Sequence, residues 1–164
     1  TMTLYFVVFG QMIGSRIGEM GGVSYMQFIV PGLIMMAVIT NSYSNVLSSF
    51  FSMKFQGSIE ELLVSPLSKH TILLGYVGGG VFRGIVIALL VTIGAQFFTQ
   101  LAVVNLGVML MTILGTSVLF SIGGLINAIF ARSFEDISII PSFVLTPLTY
   151  LGGVFYSLDN LSSF

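Results

Sequence analysis

Twelve side chains in this sequence carry or can acquire charge, and their positions decide which chemistry is open to it. Six are carboxylates, Glu19, Glu60, Glu61, Glu135, Asp136 and Asp159, and one is the lone histidine, His70. Acid–base or metal-assisted hydrolysis needs such groups converging on one site. Here there is no H-E-x-x-H motif, and every carboxylate lies in or at the edge of the segments that separate the long apolar runs. Cysteine is absent, which removes thiolate metal sites and a cysteine nucleophile. Gly78-Gly79-Gly80 lacks the Gly-Lys-Ser/Thr that completes a phosphate-binding loop, so this chain is not expected to bind ATP by itself. Five basic residues and a net charge of -1 provide no surface for nucleic acid. No catalytic, cofactor-binding or metal-ligating residue is assigned.

Polar chemistry inside the apolar runs is confined to a few places. Arg83 is the single embedded charge, about a third of the way into its run, where a central arginine costs about 2.5 to 3.5 kcal/mol on insertion scales. It must snorkel, pair with a carboxylate such as Glu60, Glu61 or Glu135, or serve a transport pathway. Asn41, Asn45, Ser48 and Ser49 share one helical face, where they either bond neighbouring helices or line a polar route. Ion-coupled transport is disfavoured, because no Asp, Glu or His lies within the runs to take a proton or cation at depth.

The elements that position these residues follow from composition. At 164 residues, 55% hydrophobic and 7% charged, with a mean hydropathy of +1.06, the chain lacks the polar surface of a soluble globule. The expected fold is all-α, a polytopic membrane helix bundle. Uncharged runs cover 20–53, 84–131 and 137–158, and a spanning helix needs about 20 mainly apolar residues. The middle run is too long for one span and is divided at Gln96, Thr99, Gln100 and Asn105. Five spans are predicted, at about 1–13, 25–51, 72–98, 103–130 and 138–156, the first of them truncated. Thr1 is not an initiator and stands inside an apolar run, so the sequence is expected to be a piece of a longer protein. Lys54, Lys69 and Arg132 against Arg16 place the 52–71 and 131–137 loops in the cytoplasm. Tyr25, Tyr76 and Tyr156 fall near span ends, where tyrosine favours the interface. Glycines recur as Gly75 with Gly79, Gly80 with Gly84, and Gly107, Gly115 and Gly123, a spacing that lets helix backbones approach. Pro141 and Pro147 can kink the last span or mark a hinge.

The loop Ser58-Ile-Glu-Glu61-Leu-Leu63-Val-Ser-Pro66 predicts a short amphipathic helix. Ser58 and Glu61 have capping-box spacing, Ile59, Leu62 and Leu63 form one face, and Pro66 ends it. Such a helix either lies on the lipid surface or docks into a soluble partner.

Four stretches carry a resemblance: Met26-Gln-Phe-Ile-Val-Pro31-Gly32-Leu, Ile59-Glu60-Glu61-Leu62-Leu63-Val-Ser-Pro66, Gly75-Tyr-Val-Gly-Gly-Gly80 and Pro147-Leu-Thr-Tyr-Leu-Gly152-Gly153-Val-Phe-Tyr156. Together, in order along the whole chain, they closely resemble the permease subunits of type-2 ABC transporters, in particular the YadH-like permeases of the bacterial inner membrane. The resemblance implies a six-span, multi-pass exporter subunit that forms a homodimer among membrane lipids and joins two copies of a separate ABC ATPase, which holds ATP and Mg. It implies that Ser58, Ile59, Glu60, Glu61, Leu62 and Leu63 form the ATPase-coupling helix, and that Arg132, Glu135 and Asp136 make a second cytoplasmic contact. Residues 157–164 would begin the outer re-entrant segment before span six. In the family an amphipathic helix also precedes span one, and relatives often carry proline after the Leu-x-x-Leu that here is Leu158-Asp-Asn-Leu161, followed by Ser162-Ser163. The mechanism implied is alternating access, with an amphipathic or lipid-linked cargo favoured by apolar walls bearing Ser, Thr and Asn. A non-transporting membrane scaffold or assembly factor would explain the glycine spacing and polar faces equally well, whereas a channel is disfavoured because no span shows a charged ring.

Overall fold

The structure, a computed structural model, describes residues 19–20, 23–97, 99 and 105–151. The predicted first span, Arg16, the Gly152 to Tyr156 motif and the 157–164 segment lie outside the described residues.

A short antiparallel bridge, β1 (Glu19–Met20) with β2 (Val23–Ser24), leads directly into the first helix, pairing Glu19 with Ser24 and Met20 with Val23. Helix α1 (Tyr25–Phe55) is followed by the short α2 (Ile59–Val64), then by α3 (Lys69–Gln96) and α4 (Leu106–Phe130). A final helical stretch comprises α5 (Phe134–Ile140), a π-helical turn at Pro141–Leu145 and α6 (Thr146–Leu151). Among the described residues, α1, α3 and α4 are the helices long and apolar enough to cross a membrane. Helix α1 has 31 residues and is about 46 Å long, well beyond a hydrocarbon core of about 30 Å.

Local chemistry sets the helix ends. Ser68 accepts the amide of Thr71 and starts α3 at Lys69, three residues before the predicted 72. Asn105 accepts the amides of Gly107 and Val108 and starts α4. The π-turn falls just before Pro147, where a ring without an N–H displaces the carbonyl four residues back. There Thr146 donates its hydroxyl to the Pro141 carbonyl at 2.9 Å, and the backbone widens by one residue. The prolines therefore act through a π-bulge.

Helix α1 is the centre of the bundle, with α3 and α4 packed on it and on each other. Its buried ridge runs from Tyr25 and Met26 through Ile29, Val30, Leu33, Ile34, Ala37 and Val38. Tyr25 is part of that packing, at 3% exposure, rather than facing the membrane interface as its position suggested. Lower down, Ser42, Tyr43, Val46, Leu47 and Phe51 continue the ridge.

The helices meet most closely at small residues. A Cβ on Gly84 would collide with the hydroxyls of Ser42 on α1 and Ser117 on α4. One on Gly80 would collide with Ser121 on α4 and lie 2.6 Å from Val46 Cγ2 on α1. One on Gly124 would lie 2.5 Å from the Tyr43 carbonyl oxygen, so α4 approaches the backbone of α1 directly. The Gly80 and Gly84 pair is thus a true packing seam. The Gly107, Gly115, Gly123 series is used only in part: Gly123 lies against the Tyr43 ring at 3.7 Å, Gly115 faces open space, and the closest α4 contacts run through Ser117, Ser121 and Gly124.

This difference is testable. Gly84→Leu overpacks a three-helix contact and should cost at least about 2 kcal/mol, whereas Gly115→Leu should change stability by no more than about 0.5 kcal/mol. Thermal unfolding of the full-length protein in detergent, with both variants side by side, measures the contrast.

Candidate functional site

The ends of α1 and α4 and the start of α3 lie together and bring Lys54, Lys69 and Arg132 to one charged end of the bundle, which also carries Glu60, Glu61, Glu135 and Asp136. Helix α2 sits there, reached by a sharp reversal at Gly57, whose φ of +78° favours glycine. The expected capping box at Ser58 is not formed. Ser58 already has near-helical angles, φ −70° and ψ −8°, so its hydroxyl makes no cap bond, whereas a capping serine needs extended geometry. The turn is held by backbone bonds instead, Glu60 N–H to Gly57 O and Leu62 N–H to Ser58 O, both 3.4 Å. The helix ends at Val64, with Ser65 extended and its hydroxyl donating to the Leu62 carbonyl at 2.6 Å.

The faces of α2 also depart from expectation. Ile59 and Leu62 are half-buried, but Leu63 is 72% and Val64 86% exposed, beside the exposed Glu60 and Glu61. Helix α2 therefore presents a mixed apolar and acidic surface away from the bundle.

Lys54 joins this helix to the rest. It occupies the last turn of α1, beyond the predicted end of the span, and its Nζ donates to the carbonyls of Ile129 and Ala131 at 2.7 Å each and of Ala128 at 3.5 Å. The last carbonyls of a helix have no intrahelical partner and carry the negative end of its dipole, so an ammonium there satisfies both. Beside it, Phe134 of α5 meets Phe51 and Phe55 of α1 edge-on, with ring centroids 5.0 and 4.8 Å away. The α1–α2 and α4–α5 elbows thus form one joint.

In the second elbow, Ser133 and Asp136 form the capping box. Asp136 Oδ2 accepts the amides of Arg132 at 2.9 Å and Ser133 at 3.1 Å, and the Asp136 amide donates to Ser133 Oγ at 3.2 Å. The Arg132 amide, helped by the Ser133 amide and hydroxyl and the Arg132 charge, holds the Asp136 carboxyl below its ordinary range. Asp136 is thereby engaged in its own helix, while Arg132 and Glu135 are exposed.

The polar face predicted on the second span divides in two. Asn41 donates to the Ala37 carbonyl of its own helix at 2.9 Å, and Ser48 and Ser49 are exposed. Asn45 reaches across to α3, where its Oδ1 accepts from Arg83 at 3.1 Å. Arg83 is therefore held by a neutral amide from α1 rather than by Glu60, Glu61 or Glu135. Below this pair, an open cavity of about 360 Å³ lies between α1 and α3, lined by Asn45, Ser49, Thr71, Gly75, Tyr76 and Gly79, with Leu62 and Leu67 also in its wall. Among the described residues no group of three or more His, Cys, Asp and Glu comes together to hold a metal.

Comparison with known proteins sets this arrangement in a family. The model of the ABC-2 type transporter family matches residues 1–164, the whole chain. The chain belongs to the ABC-2 type transporter family. It is 62% identical over all 164 residues to the inner membrane transport permease YadH of Escherichia coli K12, and equally to that of Shigella flexneri. It is also 23% identical, over 96% of its length, to nodulation protein J of Rhizobium leguminosarum bv. trifolii. The chain spans 64% of the length of the YadH relatives and 61% of that nodulation protein. No solved structure matches it.

Within this ABC-2 chain, sequence reasoning missed the roles of Lys54 and Phe134 and the cap on α5. The Ser133-Phe-Glu-Asp136 spacing was a legible signal for the cap, whereas nothing in the sequence links Lys54 to residues more than seventy positions away. Ser133→Ala should destabilise the start of α5 by about 1 kcal/mol. The carboxylate form of Asp136 makes the cap, so the cap is complete above the ordinary Asp range near 4 and is lost as pH falls through the lower folded-state value. Amide hydrogen exchange in α5 should follow that course, and Asp136→Asn should flatten it. Lys54→Met, which keeps the apolar stem, should loosen the end of α4 by about 1 to 2 kcal/mol, read as faster exchange at residues 130–134.

Proposed function

We propose that this chain is the membrane-spanning part of an ATP-driven exporter of the bacterial inner membrane, and that α2 is the contact through which a separate ABC ATPase drives it. The observation that carries the reading is the outward face of α2. Leu63 and Val64 stand exposed beside Glu60 and Glu61 at the charged end of the bundle, with Glu61 on a helix too short to be stable by its own propensity. Membership of the ABC-2 family and the name of the YadH relatives, inner membrane transport permease, support both the transport role and the location. In the complete six-span subunit, paired with a second copy, the two cytoplasmic elbows would face the ATPases.

Coupling then has a physical route. A push on α2 is delivered to the end of α1, and from there through the Lys54 bonds to α4 and through Phe55 and Phe134 to α5. Helices that move together across the membrane can alternate the side on which a cargo site opens, with ATP and Mg held on the partner subunit. The apolar walls with scattered Ser, Thr and Asn favour an amphipathic or lipid-linked cargo. Transport requires that the ATPase bind α2 differently in its two nucleotide states.

The test is Glu61→Lys in the full-length permease. Capture of the ABC ATPase from solubilised membranes should fall by about tenfold or more, as expected when an interfacial charge is reversed, while membrane insertion is unchanged. Undiminished capture and undiminished cargo-stimulated ATP hydrolysis would reject α2 as the coupling contact. Failure of the unaltered protein to capture any ATPase would favour a scaffold.

A further inference from the structure

Arg83 stands fourteen residues after Lys69 in a helix of 28, about 21 Å along its axis and so within the stretch that crosses a hydrocarbon core about 30 Å thick. A guanidinium there either snorkels toward the interface or is met by an anion or other acceptors. Asn45 Oδ1 supplies one neutral acceptor, at 3.1 Å, for a group with five N–H donors. The side chain is otherwise exposed. No carboxylate occurs anywhere in α1, α3 or α4, so these helices, and the same helices of a second copy, bring no counter-ion to this depth. Glu60, Glu61, Glu135 and Asp136 all lie at the charged end, with Lys54, Lys69 and Arg132.

A cleft between α1 and α3 adjoins Arg83, which stands next to its lining rather than in it. Asn45, which holds the guanidinium, also lines the cavity of about 360 Å³ between α1 and α3. Ser49, Thr71 and Tyr76 line it too, and on the α3 side it runs over Gly75 and Gly79. A Cβ on Gly75 would meet nothing within 4 Å, so bare backbone leaves room there. Outside the cleft, α3 exposes Leu74 and Phe82, each 70% accessible, as an apolar flank.

We propose that the α1–α3 cleft binds a phosphate-headed amphiphile, with Arg83 and Asn45 gripping the phosphate and the apolar chains lying against the outer flank of α3. Guanidinium matches phosphate as a planar fork of donors, and the Asn45 amide N–H adds a further one. Two sources share this chemistry, a bilayer phospholipid resident in the cleft and a phosphate-linked cargo in transit. The second rests on the reading of the chain as a transport permease, whereas the first needs only a membrane protein.

The experiment uses the full-length permease, with the ATPase that co-purifies, in phosphatidylcholine nanodiscs carrying a small fraction of spin-labelled phosphatidic acid or, as control, spin-labelled phosphatidylcholine. The unaltered protein should immobilise phosphatidic acid in preference to phosphatidylcholine. Arg83→Gln should lose that preference by about tenfold, the scale of a lost charge-assisted hydrogen bond, and Arg83→Lys should keep part of it. Gly75→Leu, whose Cβ meets nothing within 4 Å and whose side chain adds bulk at the cleft wall, should weaken retention while Arg83 stays in place, and it carries the test if Arg83→Gln does not fold. Release of the label on adding ATP marks cargo and persistence marks a resident lipid; either supports the site. Equal retention by the unaltered protein and Arg83→Gln, or displacement of the label by inorganic phosphate alone, would overturn it. A complex active in ATP hydrolysis with equal retention overturns the cleft site and leaves the transport reading standing. Retention without any captured ATPase does the reverse.

Discussion

In a bilayer, lipid tails are as apolar as leucine, so helices gain little by burying leucines against one another and must hold together where their backbones come close. Here that closeness is concentrated at Gly80, Gly84 and Gly124, with Ser42, Ser117 and Ser121 filling the seam. Everything else in the described structure is arranged around it. The seam draws α3 and α4 onto one side each of α1 and leaves their other faces, with Phe82, Leu89, Met111 and Leu119, for lipid or a second subunit. Because the seam sits near mid-helix, the two ends of the bundle are free to be built from different chemistry.

At the charged end that chemistry is polar and directional. The ammonium of Lys54 answers the carbonyls that every helix leaves unpaired at its C-terminus, and Phe134 packs edge-on against Phe51 and Phe55 beside it. The same residues that terminate α1 and α4 therefore also tie the two loops that face an ATPase in the proposed complex. In that proposed complex, a contact made on α2 would bear on α4 and α5 as well as on α1. Nearer the middle of α3, the pairing of Arg83 with Asn45 keeps an otherwise costly charge beside an open cleft.

Much of the fold was legible in the residues. The long uncharged runs announced α1, α3 and α4, and Pro66 and the Ile59 to Leu63 pattern announced α2, because hydrophobic length and helix-breaking residues act locally. The errors were also local in kind. Ser58 has the spacing of a capping serine but is already in the turn that Gly57 creates, and Leu63 lies on the apolar stripe yet points outward because α2 rests on the bundle through Ile59 and Leu62. Glycine spacing identified one seam correctly at Gly80 and Gly84 and suggested another, through Gly115, that packing does not use.

What the sequence by itself determined is a polytopic helical chain of the ABC-2 family with no embedded carboxylate, since composition, run length and motif order are properties of the chain alone. What only the tertiary structure decided is which of its few polar groups meet. Lys54 finds carbonyls on a helix more than seventy residues away, Arg83 finds Asn45 rather than a glutamate, and Phe55 finds Phe134. Periodicity states which face a residue occupies, but the rotation and depth at which two helices dock state what that face touches, and those are set by close packing at the glycine and serine seam.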